Sequence, residues 1–133
     1  MHHSLVALVT LIALFVYFWM GLRVGVARGK FNVEAPATTG HPEFERHFRV
    51  QANTGEWLLI FLPSLWLFAV YVSDIVAAGV GAVWIAARLV YMFSYVKDPK
   101  TRGIGYGVQA LATGVLMFGS LGWVVAALVR GGV

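Results

Sequence analysis

Residues 58 to 72 read LLIFLPSLWLFAVYV, an apolar run without a charge that is followed directly by Ser73 and Asp74. A helix that contains this run and begins upstream at about Phe44 is long enough to cross a bilayer at 1.5 Å per residue. A second apolar run begins at Ile75, so only a tight turn separates the two. The stretch therefore predicts two membrane helices that lie antiparallel.

Two further apolar segments flank this hairpin and complete a set of four predicted spans. The four predicted spans are at about residues 4–22, 44–72, 75–97 and 104–129. All of them belong to a single domain of residues 1–133. The chain is 59% hydrophobic, with a mean hydropathy of +0.77, and only 12% charged, about half the charge of a soluble domain. The sequence thus predicts an all-α integral membrane protein, a four-helix bundle.

The basic residues are concentrated in two of the three connections between spans. They are Arg23, Arg28, Lys30, Arg46 and Arg49 in the first connection, and Lys97, Lys100 and Arg102 in the third. The positive-inside rule then predicts that both long loops are cytoplasmic and both termini non-cytoplasmic. These loops also account for the net charge of +4, and without a nucleic-acid motif we expect no nucleic-acid partner.

The chain has no cysteine, which excludes disulfides, thiolate metal ligands and a cysteine nucleophile. Any sulfur chemistry must therefore use the sulfur of a substrate. His41, Glu43 and His47 offer metal-ligating groups, two of them four residues apart. Because two or three such residues beside a loop are more often surface residues, we predict no metal site.

Polar side chains interrupt the start of the second span, in the stretch FRVQANTGEW at residues 48–57, where each is costly to place near hydrocarbon. At 100° per residue, one helical stripe about 80° wide contains four of the polar residues of this region. They are Arg46, Arg49, Asn53 and Glu56. A similar stripe in the third span contains Trp84, Arg88, Tyr91 and Tyr95. The two stripes are expected to face each other.

The depths of two charges in these stripes predict an ion pair. Counted from the turn at Asp74, Glu56 and Arg88 differ by about 6 Å along the helix axes, within reach of two long side chains. We therefore predict a structural ion pair between Arg88 and Glu56 that fixes the helix register. The remaining cations, amide and phenols suit a small polar ligand that carries carboxylates and an amine.

The stretch TTGHPEFERHFRVQANTGE, residues 38–56, resembles the signature of the MAPEG family, the membrane-associated proteins in eicosanoid and glutathione metabolism. The resemblance extends through GLRVGVARGKFNVEAPATTGHPEFER at residues 21–46 and ARLVYMFSYVKDPKTR at residues 87–102. It implies a homotrimer of four-helix subunits that binds glutathione as a co-substrate between neighbouring subunits, near the cytoplasmic face.

Small residues spaced four positions apart, among them Gly103 and Gly107, are typical of close helix packing.

The same resemblance assigns roles to individual residues. Arg102 matches the arginine that contacts the glutathione sulfur and activates the thiolate. Glutathione-binding positions fall on Arg28 (supplied by the neighbouring subunit), Arg49, Gln51, Asn53, Glu56, Tyr91, Tyr95 and Tyr106. The helical stripes select five of these independently and do not select Gln51.

Three positions depart from the eicosanoid-synthesising branches of that family. Trp57, Gly29 and Gly103 stand where those branches have a tyrosine, a second loop arginine and a serine. The resemblance therefore favours a bacterial-type glutathione transferase of the inner membrane, acting on lipophilic electrophiles or, as a peroxidase, on lipid hydroperoxides. Two alternatives stay open: a catalytically silent lipid- or glutathione-binding scaffold of the same family, and a small transporter, which the absence of inverted halves disfavours.

Overall fold

The computed structural model describes residues 3–131 and contains four long helices. They are α1 (Ser4–Phe31), α2 (Pro42–Tyr71), α3 (Asp74–Lys97) and α4 (Gly103–Val129), with a 3-10 turn at Pro99–Thr101 before α4. Each helix is long and apolar enough to cross a membrane. No strand occurs in the described part of the chain, and the predicted all-α, four-helix class is confirmed.

The first helix extends well past the apolar run that predicted it. The predicted span ends at about Leu22, whereas α1 continues to Phe31, because the residues that follow include arginine, alanine and lysine, which favour helix. Asn32 ends the helix with φ at 55°, the left-handed conformation common after a helix. The last turns of α1 therefore carry their cations on a helix and not in a loop.

Local sequence signals fix the starts of α2 and α3. The backbone N–H of Glu43 donates to Nδ1 of His41, 3.1 Å away, and Pro42 occupies the first turn, where its missing N–H costs nothing. At the turn into α3, the N–H of Val76 donates to Oγ of Ser73 at 3.2 Å. The Ser73 cap lies in the tight α2–α3 turn that the sequence predicts.

The centre of the bundle is the α2–α3 pair, since each of these helices packs against the other three. Phe61 of α2 and Trp84 of α3 stack with ring centroids 4.0 Å apart and planes 5° from parallel. Val9 of α1 and Leu116 of α4 belong to the same buried cluster. The apolar core therefore joins all four helices on the side away from the two long connections.

A glycine allows α3 and α4 to approach closely. A Cβ on Gly105 would lie 2.5 Å from the backbone nitrogen of Tyr91 and 2.8 Å from the carbonyl oxygen of Ala87. By contrast, a Cβ on Gly103 or Gly107 would have no neighbour within 4 Å. The close packing expected at Gly103 and Gly107 is not formed within this chain, because both lie on the exposed face of α4 and Gly105 lies on its buried face.

Large apolar side chains cover much of the outer surface. Phe15, Leu59, Ile104 and Leu111 are between 70% and 79% exposed. Exposed apolar surface of this extent is unusual for a soluble monomer. It suits a bundle whose outer face contacts lipid or another copy of the chain.

The close approach at Gly105 predicts a large effect of a single methyl group. Gly105→Ala should destabilise the bundle by about 1–3 kcal/mol, because the new Cβ meets backbone atoms that cannot move aside. Gly107→Ala, the same change one half-turn away in open space, should leave stability equal or slightly raised. Thermal unfolding in detergent distinguishes the two variants, and equal melting temperatures would contradict the close approach.

Candidate functional site

A cavity of about 770 Å³ opens at the end of the bundle that carries the two long connections. Residues from three helices line it, together with Thr38 and Thr39 of the first loop. Its volume lies within the range of small-molecule sites, about 300–1,000 Å³. The cavity is therefore large enough for a ligand of tripeptide size.

One face of α2 forms the longest wall of this cavity. Its lining residues are Glu45, Phe48, Arg49, Ala52, Asn53 and Glu56. They recur at intervals of three and four residues, the spacing of a single helical face. The polar stripe predicted for the second span therefore lines a cavity over its Arg49–Glu56 part.

Aromatic rings from α3 and α4 form the opposite wall. The rings of Tyr91 and Tyr95 stack with centroids 5.5 Å apart, and the ring of Tyr106 lies 5.9 Å from that of Tyr91. Trp57 packs edge-on against Tyr106 at 5.7 Å. Tyr91 and Tyr95 are 4% and 7% exposed, so the packing of the bundle holds their positions.

Arg102 stands at the mouth of the cavity, just before α4 begins. Its guanidinium carbon lies 6.0 Å from the ring centroid of Tyr95, and the residue is exposed. The 3-10 turn that precedes it is held by Thr101, whose hydroxyl donates to the carbonyl oxygens of Ser94 and Asp98 at 3.0 and 2.8 Å. This turn places a permanent cation beside the tyrosine wall.

Arg88 lies beneath the cavity floor and is fully buried. Its Nη2 donates to Oδ1 of Asn53 at 3.0 Å and to Oγ1 of Thr54 at 2.6 Å. The guanidinium carbon also lies 4.2 Å from the ring centroid of Tyr91. Arg88 therefore fixes an amide and a phenol that both line the cavity.

The predicted ion pair between Arg88 and Glu56 is wrong in this structure. No guanidinium nitrogen of Arg88 lies within 4.0 Å of a carboxylate oxygen of Glu56, and neither of the ion pairs found among residues 3–131 includes these residues. Glu56 is exposed and lines the cavity, whereas Arg88 is turned toward Asn53 and Thr54 in the interior. Arg88 therefore binds the amide of Asn53 and the hydroxyl of Thr54 instead of the predicted carboxylate of Glu56.

Besides Arg88, three polar residues that the sequence analysis selects lie outside the cavity. Arg28 donates to the carbonyl oxygen of Ala37 at 2.7 Å, and its guanidinium carbon lies 4.9 Å from the ring centroid of Phe44. Gln51 faces α1, because its Nε2 lies 3.2 Å from the position of a Cβ on Gly21. Arg46 donates to the carbonyl oxygen of Val96 at 3.3 Å.

Sequence reasoning missed Glu45, Phe48 and Thr54 as parts of the site or its support. Glu45 and Phe48 precede Arg49 and Ala52 by four residues each, so the same helical spacing could have found them. Thr54 lies in the buried row of α2 that includes Val50 and Leu58. A hydroxyl in an otherwise apolar row signals a buried partner, which is Arg88.

The histidines considered for metal binding have other contacts. His41 caps α2 through Nδ1, and its ring stacks on Phe31 at 3.9 Å. Within residues 3–131, no group of three or more histidine or acidic side chains is arranged to hold a metal ion. The chemistry that the cavity itself offers is that of two guanidiniums, two carboxylates, an amide and three phenols.

The sequence matches the profile of the MAPEG family over residues 6–122. It is 44% identical over 115 residues to an uncharacterized protein of Synechocystis sp.. These residues are 86% of this chain and 84% of that protein. It is 38% identical over 122 residues to microsomal glutathione S-transferase 2 of Homo sapiens, covering 89% of this chain and 81% of the relative.

Leukotriene C4 synthase of Cavia porcellus is a further relative, 38% identical over 99 residues, which are 74% of this chain and 66% of that protein. The matched residues 6–122 include every side chain that lines the cavity. The similarity therefore covers the candidate site as well as the membrane helices.

The contacts of Arg88 predict that it stabilises the fold. Arg88→Leu removes two hydrogen bonds to a charged group, each worth about 1.5–3 kcal/mol, and leaves Asn53 without this partner. We expect a loss of at least about 5 °C in melting temperature. Arg49→Leu makes the same change at an exposed position and should leave the melting temperature nearly unchanged. Thermal unfolding in detergent measures both, and equal losses would refute a special role for Arg88.

Proposed function

Because this chain belongs to the MAPEG family, we propose that it is a membrane-bound glutathione transferase that joins the glutathione thiolate to lipophilic electrophiles. The observation that carries the proposal is the cavity between α2, α3 and α4, in which cationic, anionic and phenolic groups converge. Glutathione presents matching chemistry: two carboxylates, an ammonium group, two amides and a thiol.

The charges along α2 suit the two ends of the peptide. The Arg49 guanidinium can bind a carboxylate through two parallel hydrogen bonds. The Glu56 carboxylate, two turns further along the same face, can bind the ammonium of the glutamyl end. Asn53 lies between them with its amide fixed by Arg88 at 3.0 Å, in position to bind the peptide backbone.

The thiol is expected to lie beside Arg102 and the tyrosine wall. A thiol becomes a strong nucleophile only as the thiolate, and a nearby guanidinium stabilises that anion. The thiol proton leaves to water, because Arg102 cannot accept it. The thiolate sulfur then forms a bond to the electrophilic carbon, and the leaving group departs with the electrons of the bond that breaks.

The lipophilic substrate is proposed to arrive from the bilayer. Ile104, two residues after Arg102, is 79% exposed, and α4 continues from there as an apolar outer surface. An electrophile dissolved in lipid could therefore reach the cavity mouth without crossing water. Assays with an aryl halide and with a lipid hydroperoxide separate conjugation from peroxide reduction.

We further propose that the protein is a homotrimer in a bacterial inner membrane, with the site toward the cytoplasm. Its support within the chain is Arg28, which lies on α1 outside the cavity of its own subunit, and the large exposed apolar surface. In an assembly, Arg28 of the neighbouring subunit could close the open side of the cavity.

Mixed assemblies test whether sites form between subunits. At neutral pH, Arg28→Leu and Arg102→Leu should each have little activity alone. Co-expressed, they should recover part of the activity, because some sites combine Arg102 from one chain with Arg28 from its neighbour. Activity no higher than that of the separate variants, in assemblies that native mass spectrometry shows to be mixed, would contradict shared sites.

The role of Arg102 predicts a characteristic pH dependence. A charge-assisted contact is worth about 1.5–3 kcal/mol, which lowers the thiol pKa by about one to two units. In Arg102→Leu the pKa of bound glutathione should rise toward the free thiol value of about 8.5. Thiolate absorbance near neutral pH should be lost, and the conjugation rate should recover in part as the pH rises.

Lys100→Leu is the matched control, because Lys100 is a basic residue of the same 3-10 turn that does not line the cavity. It should bind and ionise glutathione as the wild type does. A wild-type rate for Arg102→Leu at neutral pH would show that Arg102 is not the activator. If the wild type binds glutathione and never ionises it, the silent scaffold replaces the enzyme.

A further inference from the structure

A second cavity, of about 380 Å³, lies between α1 and the start of α2. It shares no lining residue with the candidate glutathione site. Its apolar wall comes from Trp19, Leu22 and Val26 of α1, and its charged lining includes Arg23 and Lys30. The proposed transferase activity assigns no role to any of these residues.

Arg23 is held in place by aromatic rings. Its guanidinium carbon lies 5.3 Å from the ring centroid of Trp19 and 5.4 Å from that of Phe93. Its Nε is buried without a hydrogen-bond partner, and among residues 3–131 no protein acceptor or carboxylate pairs with this guanidinium. The rings thus orient a cation whose donors are unused.

The other charged groups of this cavity largely offset one another. Nζ of Lys30 lies 3.8 Å from Oε2 of Glu43, so this cation has an acidic partner. His47 also lines the cavity and adds an imidazole. Arg23 is therefore the cation of this cavity left to bind an anion.

The depth of Arg23 is that of a membrane interface. Arg23 lies about 28 Å along α1 from Ser4, close to the hydrocarbon thickness of about 30 Å. Toward the hydrocarbon side of Arg23, Trp19 and Leu22 continue the apolar wall, and on the other side the cavity reaches Lys30 and Glu43. An occupant must therefore be apolar on one side of Arg23 and polar on the other.

We propose that the second cavity is a phospholipid site, in which Arg23 binds the lipid phosphate and the Trp19–Leu22 face of α1, on the hydrocarbon side of Arg23, binds an acyl chain. The planar guanidinium suits phosphate oxygens. Leu22 is 54% exposed, so this apolar face is continuous with the outer surface that a lipid would cover.

Native mass spectrometry of the delipidated, detergent-solubilised protein tests the proposal. Three separate titrations use dioleoylphosphatidylglycerol, dioleoylglycerol and inorganic phosphate. We expect saturable binding of one phosphatidylglycerol per subunit and far weaker binding of the other two. Equal binding of dioleoylglycerol would show a site without phosphate recognition, and tight binding of inorganic phosphate alone would show an anion site that is not a lipid site. Either result overturns the proposal.

Arg23→Gln should weaken phosphatidylglycerol binding about tenfold or more, because it removes a charge-assisted contact. Arg130→Gln, the same substitution at an exposed arginine at the end of α4, should bind as the wild type does. Equal affinity of Arg23→Gln and wild type would contradict the assignment.

Arg23→Lys covers the case in which Arg23→Gln does not fold, as judged by circular dichroism and gel filtration. It keeps the charge, but an ammonium cannot hold two phosphate oxygens side by side or stack as a plane between rings. A loss of about threefold or more is expected, and an unchanged affinity would also overturn the proposal.

Discussion

The buried guanidinium of Arg88 joins the two central helices and supports the cavity above it. Its hydrogen bonds to Asn53 and Thr54 cross from α3 to α2, and its charge lies against the ring of Tyr91. An arginine without exposed surface is costly in a membrane bundle. Asn53 and Tyr91 also line the cavity, so the contacts that offset part of this cost orient two of its walls.

The remaining walls depend on how closely α4 approaches α3. The absence of a side chain at Gly105 lets the two helices pack backbone to backbone at Tyr91. That contact brings Tyr106 beside Tyr91 and places Arg102 near Tyr95. The buried Arg88 and the exposed Arg102 thus lie on opposite sides of the tyrosine wall. This arrangement suits a ligand anion held at the cavity mouth.

Helical periodicity and hydropathy were sufficient to predict the four helices, the tight hairpin and the Arg49–Asn53–Glu56 stripe, because each depends on local sequence alone. The partner of Arg88 depends on side-chain direction in three dimensions. Axial depth placed Glu56 within reach but could not show that Glu56 points to the cavity and Thr54 to the interior. In the same way, spacing selected Gly103 and Gly107, whereas the rotation of α4 buries Gly105.

We propose that the cavity between α2, α3 and α4 holds glutathione with its sulfur at Arg102. An experimental structure of the protein in lipid nanodiscs with glutathione tests this most directly. We expect peptide density in the cavity, with a carboxylate on Arg49, the ammonium near Glu56 and the sulfur within hydrogen-bonding distance of the Arg102 guanidinium. Glutathione bound elsewhere, or bound there with its sulfur directed away from Arg102, would contradict the claim.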